Sequence, residues 1–234
     1  MLGLRGILSF LGFLTLISAT PTPMTNGSRI VYGKVDTMAW QVSGILTKGC
    51  TSSIISNCYG MYLSSNASDM LDSNHLDSPR QRNEWRFPTL SSNQSFSYSW
   101  KQWLDLSTGS STKFFHLMQV FGLPENGPII TLGAAKGSLK ITDYTSTPCG
   151  ASCPSTPLSN YLGIYTTHTI SGKFGPSGSM KYTVVGPRGT ILSYSRTGGL
   201  GAGDGYIKFG TYRATFTPGM TAVNSMVGDW ITHL

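Results

Sequence analysis

Along most of this chain apolar and polar residues alternate in short segments separated by Gly, Pro, Ser and Asn. An alternation of period two is the pattern of a β-strand with one face on a core. Residues 95–102 are the plainest instance and place Phe96, Tyr98 and Trp100 on one face. Residues 113–121 read as a more apolar strand, and 128–132 with 138–143 read as a hairpin pair. Segments 165–170, 178–185 and 190–195 continue the series, with 222–231 a less regular final strand. Only residues 37–41 read as a short helix, and no amphipathic helix exceeds about two turns. Many short strands and 28 glycines predict an all-β fold, a β-jelly roll in which two antiparallel sheets form a concanavalin-like sandwich. Such a fold curves one sheet into a concave face on which a long polymer can lie.

The N-terminal end of the chain differs from the body. Met1 to Arg5 is short and positive, residues 7–17 are apolar but too short to span a membrane comfortably, and small residues follow at Ser18, Ala19 and Thr20. Residues 1–20 thus read as a secretory signal peptide, 21–28 as a linker and 29–234 as one domain of a secreted, extracellular protein. Secretion makes the four cysteines interpretable. Of the three connectivities open to them, Cys50–Cys58 with Cys149–Cys153 is the most economical. No histidine lies at finger-like spacing from either pair, which argues against zinc. Asn26, Asn66 and Asn93 begin Asn-x-Ser acceptor sequences for glycosylation and are expected on surface loops.

The net charge of +7, with only ten acidic residues, suits an anionic partner. No run of lysine and arginine points to nucleic acid or membrane. The cations sit inside strand patterns, which favours a groove for an acidic polysaccharide.

Three stretches carry the candidate chemistry. In Tyr206-Ile-Lys-Phe-Gly-Thr-Tyr212, alternation puts Tyr206, Lys208 and Tyr212 on one face and Ile207, Phe209 and Thr211 on the other, with Gly210 leaving room for something large. In Arg82-Asn-Glu-Trp-Arg86, Glu84 lies between two arginines on one face and could hold both guanidinium forks ready for carboxylates. In residues 114–121, His116 and Gln119 interrupt an apolar strand. Parity places Gln119 with Phe121 and sends His116 to the opposite face unless a bulge intervenes.

In this order, the stretches resemble the three signature motifs of jelly-roll alginate lyases: Arg-x-Glu-Leu-Arg, then Gln-Ile/Val-His, then Tyr-Phe-Lys-Ala-Gly-x-Tyr. The chain is also similar to fungal glucuronan lyases. The resemblance implies β-elimination on a uronate polymer without a required cofactor. Gln119, Arg82 and Arg86 would neutralise the carboxylate beside the C5 proton, where hydrogen bonds strengthen in the transition state. Tyr212 would be the general acid, with Lys208, Tyr206 and Glu84 lining the substrate. The family's histidine falls at Phe121 here. Its loss points to mannuronate or glucuronate, in which the C5 proton and O4 share one side of the ring. Tyr212 can then be acid and base together if nearby cations lower its pKa from about 10. Otherwise His75, placed as in glucuronan lyases, takes the base role, with His168 close behind and His116 also beside the substrate.

A retaining glycosidase on this fold needs two close carboxylates, but the only glutamates are Glu84 and Glu125, the latter in a turn. A lectin-like binding module on the same face is the other reading, with Phe121 as its best support. Ligand spacing favours no catalytic metal, although loop oxygens could hold a structural calcium. The expected protein is a monomer that binds acidic polysaccharide and neither nucleic acid nor, once the leader is removed, membrane.

Overall fold

A computed structural model of the chain describes residues 20–124 and 126–233, so the leader reading and Glu125 lie outside the described residues. Sixteen strands are present among the described residues. The first eight are β1 (Thr22–Pro23), β2 (Val31–Val35), β3 (Met38–Val42), β4 (Ile45–Lys48), β5 (Cys58–Leu63), β6 (Arg80–Arg86), β7 (Ser95–Leu104) and β8 (Phe115–Gly122). Then come β9 (Ile130–Ala135), β10 (Ser138–Asp143), β11 (Ser155–Pro157), β12 (Tyr165–Lys173), β13 (Ser179–Gly186), β14 (Gly189–Thr197), β15 (Gly205–Ala214) and β16 (Val223–His233). They form two antiparallel eight-stranded sheets. One has the order β11-β10-β9-β8-β15-β6-β3-β2, and the other β1-β4-β5-β16-β7-β12-β13-β14. The three candidate stretches, far apart in sequence, thus become the adjacent strands β8, β15 and β6 at the centre of the first sheet.

The helix expected at 37–41 is instead part of β3. Asp36, at φ 52°, turns β2 into β3, and Met38, Trp40 and Val42 then alternate inward against Ala39 and Gln41. With so few residues the two periodicities are hard to tell apart, and strand pairing on both sides decides the outcome.

The alternation of β7 holds throughout. Phe96, Tyr98 and Trp100 are buried between the sheets. Tyr98 stacks on Phe87 with centroids 4.1 Å apart, and Trp100 stacks on Phe209 of the opposite sheet at 4.7 Å. Ring pairs of this kind add about 0.5–1.5 kcal/mol each to the area they bury. Both expected disulfides form, Cys50–Cys58 with Cα atoms 5.5 Å apart and Cys149–Cys153 at 4.9 Å. Asn26, Asn66 and Asn93 are exposed.

Two irregularities shape the first sheet. The register of β8 against β9 shifts between His116 and Met118, and that of β15 against β8 shifts between Phe209 and Tyr212. Gly210 lies in the second shift at φ 132°, and a Cβ there would stand 2.2 Å from the Asn83 carbonyl oxygen. Its glycine therefore serves backbone geometry and close strand approach rather than room for a ligand. The Gly210 carbonyl accepts from Gln102 Nε2 of the other sheet at 3.2 Å, which satisfies a polar group that the bulge would otherwise strand in the core.

His168 belongs to that core and not to any binding face. It is completely buried on the second sheet, hydrogen-bonded to Tyr161 (3.0 Å), Thr166 (3.1 Å) and Tyr182 (2.7 Å) and stacked on Trp100. The expectation that it lines the substrate site is thereby overturned. Burial pushes its pKa down to about 3, whereas the unfolded chain titrates near 6.5. Between those values the unfolded state binds a proton that the folded state refuses. Stability should therefore fall as pH drops from about 6.5 toward 3, at roughly 1.4 kcal/mol per pH unit from this group. Urea unfolding of wild type and His168→Phe across that window should show a shallower slope in the variant. Identical slopes would mean that the histidine is not held neutral.

Candidate active site

The outward face of β8, β15 and β6 gathers nearly all of the motif residues in three rows. Antiparallel pairing sets His116 beside Tyr212 and Tyr212 beside Arg82. The next row aligns Gln119, Lys208 and Arg86, and the third pairs Phe121 with Tyr206. As the alternation of β15 implied, Tyr206, Lys208 and Tyr212 share this face.

The bulge in β8 changes one assignment. By inserting an extra residue between His116 and Met118 it reverses parity, so that His116 and Gln119 face the same way. His116 Nδ1 lies 3.2 Å from Gln119 Oε1. The histidine that simple alternation removes from the site is inside it.

Glu84 is the hub. Its carboxylate is buried and receives the Gln119 amide on Oε1, while Oε2 lies 2.9 Å from Arg82 Nη1 and 3.6 Å from Lys208 Nζ. Glu84 therefore holds one guanidinium, one ammonium and one amide, and not the two arginines expected of it. Arg86 is exposed, with its guanidinium over the Tyr206 ring at 5.0 Å. Arg82 is committed elsewhere. Its Nε and Nη2 bond Asp72 at 2.9 and 2.8 Å, Nη1 also reaches Gln41 at 3.1 Å, and its Cζ lies 3.9 Å from the Tyr212 ring centroid. Saturated in this way, it is a positioning group with little of its fork left for a substrate carboxylate. Arg86, Lys208 and the second Gln119 amide hydrogen are the donors left for that task.

Three contributors escaped the sequence reading. Arg80 donates from Nη1 to Tyr212 Oη at 2.9 Å. Extending the Arg82–Glu84–Arg86 alternation by one step toward the N-terminus would have found it. Gln41, which accepts from both Arg82 and Lys208, lay in the stretch read as helix. Asp72 sits in a loop with no periodic signal.

Two adjoining hollows follow these rows. One of about 380 Å³ is lined by His75, Arg80, His116, Gln119 and Tyr212 among others. The second, about 340 Å³, has Tyr32, Trp40, Arg86 and Tyr206 in its wall. Both include Gln41 and Lys208, which makes them one groove across the strands. His75 stands at its edge on the 3-10 turn Ser73–His75. Four cations line or underlie the groove against the carboxylates of Glu84 and Asp72, a balance suited to an anion.

Electrostatics separates the titratable groups. Burial raises the Tyr212 pKa above its ordinary value despite the opposing pull of Arg82 and Arg80. The cation-driven lowering expected for Tyr212 is therefore not found, and the phenol stays protonated at neutral pH. Burial lowers the pKa of His116, reinforced by Arg82 and opposed by Glu84 and Gln119. Its imidazole is consequently neutral. Burial likewise lowers that of Lys208, against the pull of Glu84. Among the described residues no three of His, Cys, Asp and Glu come together so as to hold a metal ion.

No protein-family model matches the chain, and no curated protein matches it. Solved structures do. The chain is similar to the endo-β-1,4-glucuronan lyase from the fungus Trichoderma reesei, with a TM-score of 0.55 and 11% identity over 86% of this chain and 89% of that one. It is also similar to alginate lyase AlgAT5 from polysaccharide lyase family 7, at TM-score 0.54 and 13% identity over 75% and 77%. A third is alginate lyase A1-II', also of family 7, at 0.54 and 14% over 79% and 85%. The shared property is the fold, the jelly roll of these lyases.

Removing the hub should be costly and removing its exposed neighbour should not. Glu84→Ala leaves Lys208 buried without its carboxylate and Arg82 with Asp72 alone as counter-ion, and urea unfolding should show a loss of about 3–5 kcal/mol. Arg86→Ala should stay within about 0.5 kcal/mol of wild type. Comparable small losses for both would remove Glu84 from the centre of the network.

Proposed function

We propose that the protein is a polysaccharide lyase that cleaves a β-1,4-linked uronan, glucuronan or mannuronate-rich alginate, by β-elimination. The observation that carries this reading is the meeting of a protonated phenol, Tyr212, with the amide of Gln119 and the cations Lys208 and Arg86 in one groove. Elimination needs those functions at adjacent points. Hydrogen bonds and positive charge on the sugar carboxylate make the C5 proton removable, because they strengthen as charge moves into the carboxylate. Tyr212 protonates the departing O4 and leaves a 4,5-unsaturated uronate end. Arg80, bonded to the phenol oxygen, stabilises the phenolate that results. The reaction calls for no cofactor. We place it outside the cell, on an acidic polysaccharide, in a monomer.

A non-catalytic binding module remains a second reading. Phe121 stacks on Tyr206 with centroids 4.9 Å apart, and flat aromatic pairs can receive sugar rings without any chemistry.

Ultraviolet absorbance of the unsaturated product decides between them. Incubation with glucuronan or poly-mannuronate should raise it, and Tyr212→Phe should lower the rate by about 10²–10⁴-fold while the polymer is still retained. Retention without any rise in absorbance would establish the binding module.

A further inference from the structure

The rows of the groove assign more than a reaction class. We propose that His116 is the base that takes the C5 proton and that it works from the same side of the sugar as Tyr212. The enzyme would then act on glucuronate or mannuronate and not on guluronate. This inference rests on the lyase reading above.

The argument starts from register. His116 and Tyr212 are opposite one another on β8 and β15, with ring centroids 6.0 Å apart. Both lie on one side of the Gln119–Lys208 row, where the carboxylate must bind. On the other side of that row stand Phe121 and Tyr206, a hydrocarbon ring and a phenol that burial keeps protonated. Neither can accept a proton. A substrate whose C5 hydrogen and C4 oxygen point to opposite sides would meet an acid on one side and no base on the other. In guluronate those bonds are opposed. In glucuronate and mannuronate they share a side, so one row can serve both.

His116 is better prepared for this than His75. With Nδ1–H donating to Gln119 Oε1, its Nε2 carries the lone pair. The hydrogen bond fixes the tautomer and the ring together. The His75 side chain has no hydrogen-bond partner among the described residues and sits on the 3-10 turn at the groove's edge. The proton inventory closes. His116 Nε2 takes the C5 proton, and the C5–H electron pair becomes the C4=C5 double bond. The C4–O4 bond breaks, and O4 takes the proton of Tyr212 Oη. Imidazolium and phenolate are left side by side, and one proton passing between them restores both.

The test uses three polymers and two variants. Wild-type protein is incubated with glucuronan, poly-mannuronate and poly-guluronate, and unsaturated ends are followed by absorbance. Product is expected from one or both of the first two and at least 100-fold less from poly-guluronate. His116→Gly should lose at least 100-fold of the rate on the preferred polymer, still bind that polymer, and regain rate with added imidazole. His75→Ala, which alters the groove's edge, should lose less of that rate than His116→Gly and regain none of it with imidazole. Comparable cleavage of poly-guluronate overturns the one-sided geometry. Loss on His75→Ala with His116→Gly unaffected overturns the base assignment, as does a loss in His116→Gly that imidazole does not repair while binding persists. No product from any polymer with wild-type protein overturns the lyase reading itself and this inference with it.

Discussion

The buried carboxylate of Glu84 is the constraint on which the groove depends. A charge removed from water must be met by several partners. Here the partners are the groups that a uronate would need: the Gln119 amide, the Lys208 ammonium and, through Arg82, the underside of Tyr212. One anion therefore arranges the donors for another. Each cation that Glu84 fixes is also one whose charge it partly spends, and at Lys208 its pull works against the burial that lowers the ammonium's pKa. Arg86, outside the hub and exposed, lies over the Tyr206 ring instead.

The second determinant is backbone irregularity. A regular β8 would have turned His116 away from Gln119, and a regular β15 would have carried Tyr212 out of step with His116. Two register shifts, close together on neighbouring strands, bring both rings into one row. The cost of such a break is the stranded carbonyl at Gly210, and Gln102 answers it from across the sandwich. The site's geometry thus reaches through the core into the other sheet.

Much of the fold was legible because period-two alternation survives wherever a strand has one face on the core, as in β7 and β15. It failed at 37–41, where five residues carry too little pattern to separate strand from helix. Within the site, Gln119, Lys208, Tyr206 and Tyr212 could be placed by alternation and motif order. His116 could not, because a bulge leaves no compositional mark in β8. His168 misled for the opposite reason. A histidine set between Thr167 and Thr169 in a polar run looks outward-facing until its partners, Tyr161 and Tyr182, are known to be buried with it. Asp72 was invisible because loops have no periodicity, and only the folded chain reveals that its carboxylate meets Arg82.

That aspartate has a consequence for any attempt to move the groove elsewhere. One oxygen of Asp72 accepts from the backbone N–H of Asn74 and caps the 3-10 turn, while the other receives Nε and Nη2 of Arg82. Loop and strand are built as a single part. A graft of the three strand motifs onto another sandwich would bury the Arg82 fork with two of its hydrogens unmatched. The portable unit is therefore the sheet together with its turn.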